Sequence, residues 1–175
     1  MKHILAIPGS LRAGSTNHNI LKYLGALVSA DVDYSIYSDL ALIPPFDPGN
    51  DDDYPPEPVF ELRELLKQVD GVIICTPEYA FGVPGQLKNM LDWMVSSASF
   101  SDKPVALITA SLGGEAAHAA MLLILGALNA QVADGAKLNI SFIRSKMDGE
   151  GNVTDVATIE LLKNVLNAFL SVIQQ

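Results

Sequence analysis

The chain has 175 residues, 49% of them hydrophobic and 18% charged, with a formal net charge of −9 at pH 7. That is enough apolar material for the core of one domain spanning residues 1–175, and too few charges for a disordered chain. The acidic balance excludes a nucleic-acid binder, which shows a basic stripe, and disfavours attraction to anionic membranes, so an anionic ligand must be held by local positive groups.

Five short apolar runs alternate with segments of helical period. "HILAIP" leads through "GSLRAGSTN" (Gly9 to Asn17) into "STNHNILKYLGALVSA", where Ile20, Leu21, Leu24, Leu27 and Val28 share a face and Ser15 or Thr16 is available as a cap. "VDYSIY" alternates in polarity, as a strand nearer a sheet edge does. The segment Asp39–Pro58 holds six of the ten prolines and is expected to be irregular. Its triplet Asp51–Asp53 lacks the alternating ligands and closing Glu of a calcium loop and reads as solvated. "EPVFELRELLKQVD" puts Phe60, Leu62, Leu65, Leu66 and Val69 on one helical face. "GVIICT" is apolar almost throughout, the mark of a strand covered on both faces, and "KPVALITA" repeats it. Between them "PGQLKNMLDWMVSSA" opens with Pro84, suited to a first helical turn. "GGEAAHAAMLLILGALNA", the strand "KLNISFI" and "VTDVATIELLKNVLNAFLSVIQ", capped by Thr154 or Asp155, complete the order.

This alternation predicts an α/β fold: a flavodoxin-like three-layer sandwich with a five-stranded parallel sheet of order 2-1-3-4-5 and helices on both faces. Ligands of such sheets bind outside the carboxyl ends of the strands, at the switch point between strands 1 and 3. The loops leaving strands 1, 3 and 4 therefore converge on one crevice. The single cysteine, Cys75, excludes an intramolecular disulfide and a multi-cysteine metal site and reads as a buried core residue. His3, His18 and His118 have no ligand spacing, so no metal site is predicted. No signal-peptide pattern follows Lys2, and "AAMLLILGAL" falls short of the ~20 residues of a spanning helix, so the expected location is cytoplasmic.

Gly9 and Gly14 have the spacing of a nucleotide-binding P-loop, but Ser15 stands where that motif places its lysine. The loop offers free backbone N–H groups, a helix N-terminus, hydroxyls and Arg12, groups for a terminal phosphate dianion rather than a Mg²⁺-bound triphosphate. The two glycines are expected to let the backbone approach the ligand. From this loop alone, a polar turn with a helix cap fits equally well. In "TPEYAFGVPGQ", Pro77, Tyr79 and Phe81 offer a partly aromatic wall, with the N–H groups of residues 78–82 expected to face a flat heterocycle. Of Glu78, the backbone is expected to matter more than the carboxylate. "SLGGEA" adds Ser111 and two glycines.

"GSLRAGSTN" together with "TPEYAFGVPGQLKNMLDW" resembles the NADPH-dependent FMN reductase family, which includes flavin, quinone, azo-dye and chromate reductases. The resemblance spans essentially the whole chain. It implies non-covalent FMN, NADPH or NADH as cosubstrate, and hydride passed through FMN to a small acceptor such as a quinone, flavin, azo dye or metal oxyanion. Carried over by position, the phosphate site falls on Ser10, Arg12, Ser15, Thr16 and Asn17. The isoalloxazine wall falls on Pro77, Glu78, Tyr79 and Ala80, and the third loop on Ser111, Gly113 and Gly114. Such chemistry needs no side-chain nucleophile or general base, so no catalytic residue is named. Family members often carry an Arg or Gln soon after the paired glycines, where this chain has Glu115 and His118, a departure that bears on substrate or pyridine-nucleotide contacts. Two other readings stand beside it: a flavodoxin-like electron carrier serving a partner protein, and a redox-inactive flavin-binding protein. A homodimer or homotetramer is expected, with Met90, Trp93, Met94 and Phe100 at the interface.

Overall fold

The computed structural model describes residues 1–173. Strands β1 (Lys2–Pro8), β2 (Val32–Ile36), β3 (Gly71–Thr76), β4 (Val105–Ala110) and β5 (Lys137–Ile140) alternate with helices α1 (Thr16–Gly25), α2 (Glu57–Gln68), α3 (Gly85–Trp93), α4 (Glu115–Ala127) and α5 (Val156–Ile173). The strands form one sheet of order β2-β1-β3-β4-β5, every neighbouring pair parallel, as the alternation predicts. All six residues of β3 and of β4 are buried, whereas β2 alternates in burial as an edge strand does.

The pleat sorts the core onto the two faces. Ile4 and Ala6 of β1 join Ile20, Leu21 and Leu24 of α1 and Leu162, Leu166 and Phe169 of α5. Leu5 and Ile7 point the other way, to Val59, Leu62 and Leu66 of α2, Met90 and Leu91 of α3 and Met121 of α4. By length and composition α5 is apolar enough to cross a membrane. Here it spends its apolar stripe on the sheet. Ser15 is the N-cap of α1, its hydroxyl accepting from His18 N at 3.2 Å. Asp155 precedes α5, its carboxylate accepting from Thr158 N at 2.9 Å.

Three expectations are corrected. The buried stripe of α2 is Val59, Leu62, Arg63 and Leu66, and Phe60 is half exposed. The helix places Val59, not Phe60, in register with Leu62 and Leu66. Arg63 thus sits in a core-facing position, where it pairs with Asp51 at 2.7 Å and also meets Trp93 O and Ser96 Oγ. Asp51, read as solvated, is accordingly the anchor of its loop. Met90, Trp93, Met94 and Phe100 are all buried within the chain itself, so none is left for an interface.

The irregular segment is held by α3 rather than by secondary structure of its own, beyond two 3₁₀ turns at Leu40–Leu42 and Pro48–Asn50. Gln86 Nε2 donates to Leu40 O and Ile43 O, both at 2.8 Å, and Asn89 Nδ2 and Trp93 Nε1 donate to Pro44 O at 2.8 and 2.9 Å. The carbonyls of Leu40, Ile43 and Pro44 are thus satisfied by side chains of α3, as buried backbone groups outside regular structure require.

Candidate active-site cleft

The carboxyl ends of β1, β3, β4 and β5 enclose a cleft of about 440 Å³. It is lined by Ser10, Arg12, Ser15, Thr16 and Asn17 from the loop after β1, by Pro77, Glu78 and Tyr79 after β3, and by Ser111 after β4. Ala80 and Gly113 line an adjoining cavity of about 560 Å³ that shares Glu78 and Ser111 with the first. Gly114 lines neither. It is the N-cap of α4 at φ +117, and a Cβ there would collide with Asn139 Oδ1.

The first loop carries uncommitted donors. The N–H groups of Thr16 and Asn17, in the first turn of α1, have no acceptor among the described residues, and Arg12 is exposed with no carboxylate of those residues against it. Ser15 accepts from His18, which leaves its own proton to donate. Ser10 Oγ lies 3.2 Å from Tyr79 Oη and so ties the first loop to the second. Asn17 departs from expectation. Its amide nitrogen donates inward, to Ala110 O at 3.2 Å and Cys75 Sγ at 3.5 Å, so only its backbone N–H faces the cleft's anion end.

The glycines also act differently from expectation. A Cβ on Gly9 would lie 2.7 Å from Thr76 Cβ and 2.9 Å from its Cα, so Gly9 is needed for the approach of the loop to β3, not to a ligand. Gly14 holds φ +62 with open space around it and serves the turn.

After β3 the chain makes a two-residue hairpin. Tyr79 and Gly82 exchange backbone hydrogen bonds of 3.0 and 2.9 Å, and Ala80 and Phe81 between them have φ +48 and +59. Such turns favour Asn-Gly, and each side chain here costs about 1–2 kcal/mol in the left-handed region. The N–H groups of Tyr79 and Gly82 are used within the hairpin, which leaves Glu78, Ala80 and Phe81 as the donors of this wall. Glu78 also acts through its side chain, where Oε2 accepts from Ala117 N at 2.9 Å and caps α4, whose own N-cap is a glycine. Both its backbone and its carboxylate therefore matter.

A fourth loop, missed in the sequence, completes the cleft. Phe142 N donates to Leu112 O at 3.0 Å and Ile143 N to Ser111 O at 3.2 Å, which pins the segment after β5 to the loop after β4. This brings Phe142, Ile143 and Arg144 to the cleft wall, Arg144 being its second arginine. The predicted strand "KLNISFI" hides this, because the strand ends at Ile140 and Phe142 turns it with φ +54. Among the described residues, no three His, Cys, Asp or Glu side chains are grouped to hold a metal.

Cys75 lies beneath this cleft, fully buried, and burial pushes its thiol pKa up to about 12 against the smaller opposing effect of the Asn17 hydrogen bond. The thiol therefore stays protonated at neutral pH. We expect no labelling by a thiol reagent at pH 8 in the native protein and complete labelling in denaturant. Labelling of the native fold at a comparable rate would contradict this burial.

A parallel sheet of this order, with a helix N-terminus and a cleft at its switch point, is the flavodoxin-like arrangement in which nucleotide cofactors bind. Residues 2–144 match the model of the NADPH-dependent FMN reductase family, and the chain belongs to that family. It is 33% identical to a quinone reductase of Escherichia coli, over 98% of this chain and 95% of that protein. It is 31% identical to an NAD(P)H-dependent FMN reductase of Pseudomonas aeruginosa, over 94% and 91% of the two chains. Among solved structures it is similar to the flavoenzyme NAD(P)H:(acceptor) oxidoreductase FerB of Paracoccus denitrificans. There the TM-score is 0.85 at 27% identity, over 99% of this chain and 98% of that one.

Proposed function

We propose that this chain holds FMN in the cleft and uses it to oxidise NADPH or NADH at the expense of a small acceptor, with quinones the leading class. The observation that carries the reading is the pairing of uncommitted N–H groups at the N-terminus of α1 with the wall Pro77–Ala80 across two adjoining cavities that share lining residues. The donors fit the group. Ser10, Arg12, Ser15 and Thr16, with the backbone N–H of Asn17, would hold the phosphate, and Arg144 adds a second positive charge to the cleft. Pro77 to Ala80 and Ser111 to Gly113 would hold the ring system from two sides. Bound FMN supplies the redox chemistry, taking a hydride from the nicotinamide and returning electrons to the acceptor.

The protein's own contribution is binding, orientation and preorganised N–H donors, which favour negative charge on the cofactor. No side chain of the cleft is required to move a proton. The proposal includes self-association into homodimers or homotetramers, because one chain leaves the cleft open on one side, and activity in the cytoplasm. Light scattering at the monomer mass would remove the first of these.

Steady-state oxidation of NADPH or NADH by the purified, FMN-loaded protein with a quinone as sole acceptor tests the reading. Turnover without any partner protein supports a reductase. Bound flavin with turnover only after addition of a protein acceptor would favour the electron-carrier alternative.

A further inference from the structure

The cleft is unevenly charged. Both arginines, Arg12 and Arg144, line the first cavity alone, Glu78 lines both, and the adjoining cavity adds Glu115 and has no basic residue in its lining. Apart from Ser111, the other side chains of its lining are apolar, and three are open to solvent: Phe81 is 86% exposed, and Leu112 and Phe142, which it shares with the first cavity, 75% and 62%. Two of those three side chains stand on residues with left-handed backbone, Phe81 and Phe142.

Resting on the reductase reading, we propose that the part of this second cavity beyond the ring contacts of Ala80 and Gly113, walled by Phe81, Leu112, Phe142 and Glu115, is the acceptor site and that Glu115, with Glu78, selects apolar uncharged acceptors against anionic ones. The two carboxylates flank Gly113: a Cβ there would lie 3.0 Å from Glu115 Oε2 and 3.5 Å from Glu78 Oε1. Among the described residues neither forms an ion pair; Glu115 accepts from Ser141 Oγ at 3.4 Å, and Glu78 from the backbone of α4. The N-terminus of α4 offsets about half a charge of the two, so the cavity stays negative. A sulfonate or oxyanion entering there loses water and meets carboxylates with no cation paired to them, while a neutral ring gains the aromatic walls at no such penalty. Glu78 is committed to capping α4, which leaves Glu115 as the adjustable member.

The test compares kcat/KM for a naphthoquinone and its monosulfonate, in the FMN-loaded wild type and in Glu115→Gln. The readout is the sulfonate-to-parent ratio, in which differences of quinone potential cancel between the two proteins. We expect the ratio to rise about three- to tenfold in Glu115→Gln at low salt, further in Glu115→Lys, and the gap to narrow as salt screens the charge. A ratio within twofold of the wild type in both variants would overturn the proposal. A wild type that binds FMN but reduces neither quinone would overturn the reductase reading beneath it, and is seen before any variant is made.

Discussion

Replacing Arg12 by alanine raises the dissociation constant for FMN about 10- to 100-fold and leaves that for riboflavin within about twofold. Charge-assisted hydrogen bonds contribute about 1.5–3 kcal/mol, and each 1.4 kcal/mol is about tenfold in affinity. The selectivity follows from where Arg12 stands. It belongs to the loop whose Thr16 and Asn17 N–H groups lack acceptors among the described residues, and it has no carboxylate partner there to draw it away from the anion site. Only FMN has the phosphate, so only FMN should feel the loss. Fluorescence titration of both flavins against both proteins measures it. Equal weakening of FMN and riboflavin would mean that Arg12 acts on the loop's conformation and not on the phosphate.

The second large effect concerns stability rather than binding. Arg63 and Asp51 have side chains only 10% and 9% exposed, and their 2.7 Å ion pair joins α2 to the proline-rich strap. Removing one member of a buried pair strands the other, at a cost of about 3–5 kcal/mol. Arg63→Met should therefore lower the melting temperature of a chain this size by about 6 °C or more. Adding Asp51→Leu should recover much of the loss, because the stranded charge is gone, although Trp93 O and Ser96 Oγ remain without their donor. The pair lies outside the cleft, so FMN affinity should not change in either variant. A single variant as stable as the wild type would show that the pair is solvated in solution.

Much of this architecture was legible because its signals are local. β3 and β4 are apolar along their whole length, and the loop after β1 carries its hydroxyls, arginine and cap within nine residues. Parallel order then fixes which loops meet. What stayed hidden depends on residues far apart in sequence. Arg63 breaks the apolar stripe of α2 and is sustained there by Asp51, twelve positions earlier, and by Trp93 O and Ser96 Oγ, some thirty positions later. Met90, Trp93, Met94 and Phe100 have residue types that suit an interface and a core equally; all four are buried in the core, and the proline-rich strap folds over Trp93. Trp93 meets Phe46 of that strap edge to face, the ring centroids 5.1 Å apart.

Within the cleft, the hairpin at Ala80 and Phe81 and the turn at Phe142 use left-handed backbone without the glycine or asparagine that would announce it. The fourth loop was unreadable for that reason, since a strand ending in an uninterrupted "ISFI" gives no sign of stopping at Ile140. Glu78 as a cap for α4 was equally invisible: donor and acceptor lie 39 residues apart.

The central claim is that one continuous cleft holds FMN and lets a pyridine nucleotide reduce it. The most direct measurement is the absorption spectrum of the purified protein, incubated with FMN, desalted, and then mixed anaerobically with NADPH or NADH. Flavin bands that survive desalting and bleach on addition of the nucleotide are the predicted result. A protein that retains no flavin would contradict the cleft, and one that retains flavin but stays yellow would contradict the reductase.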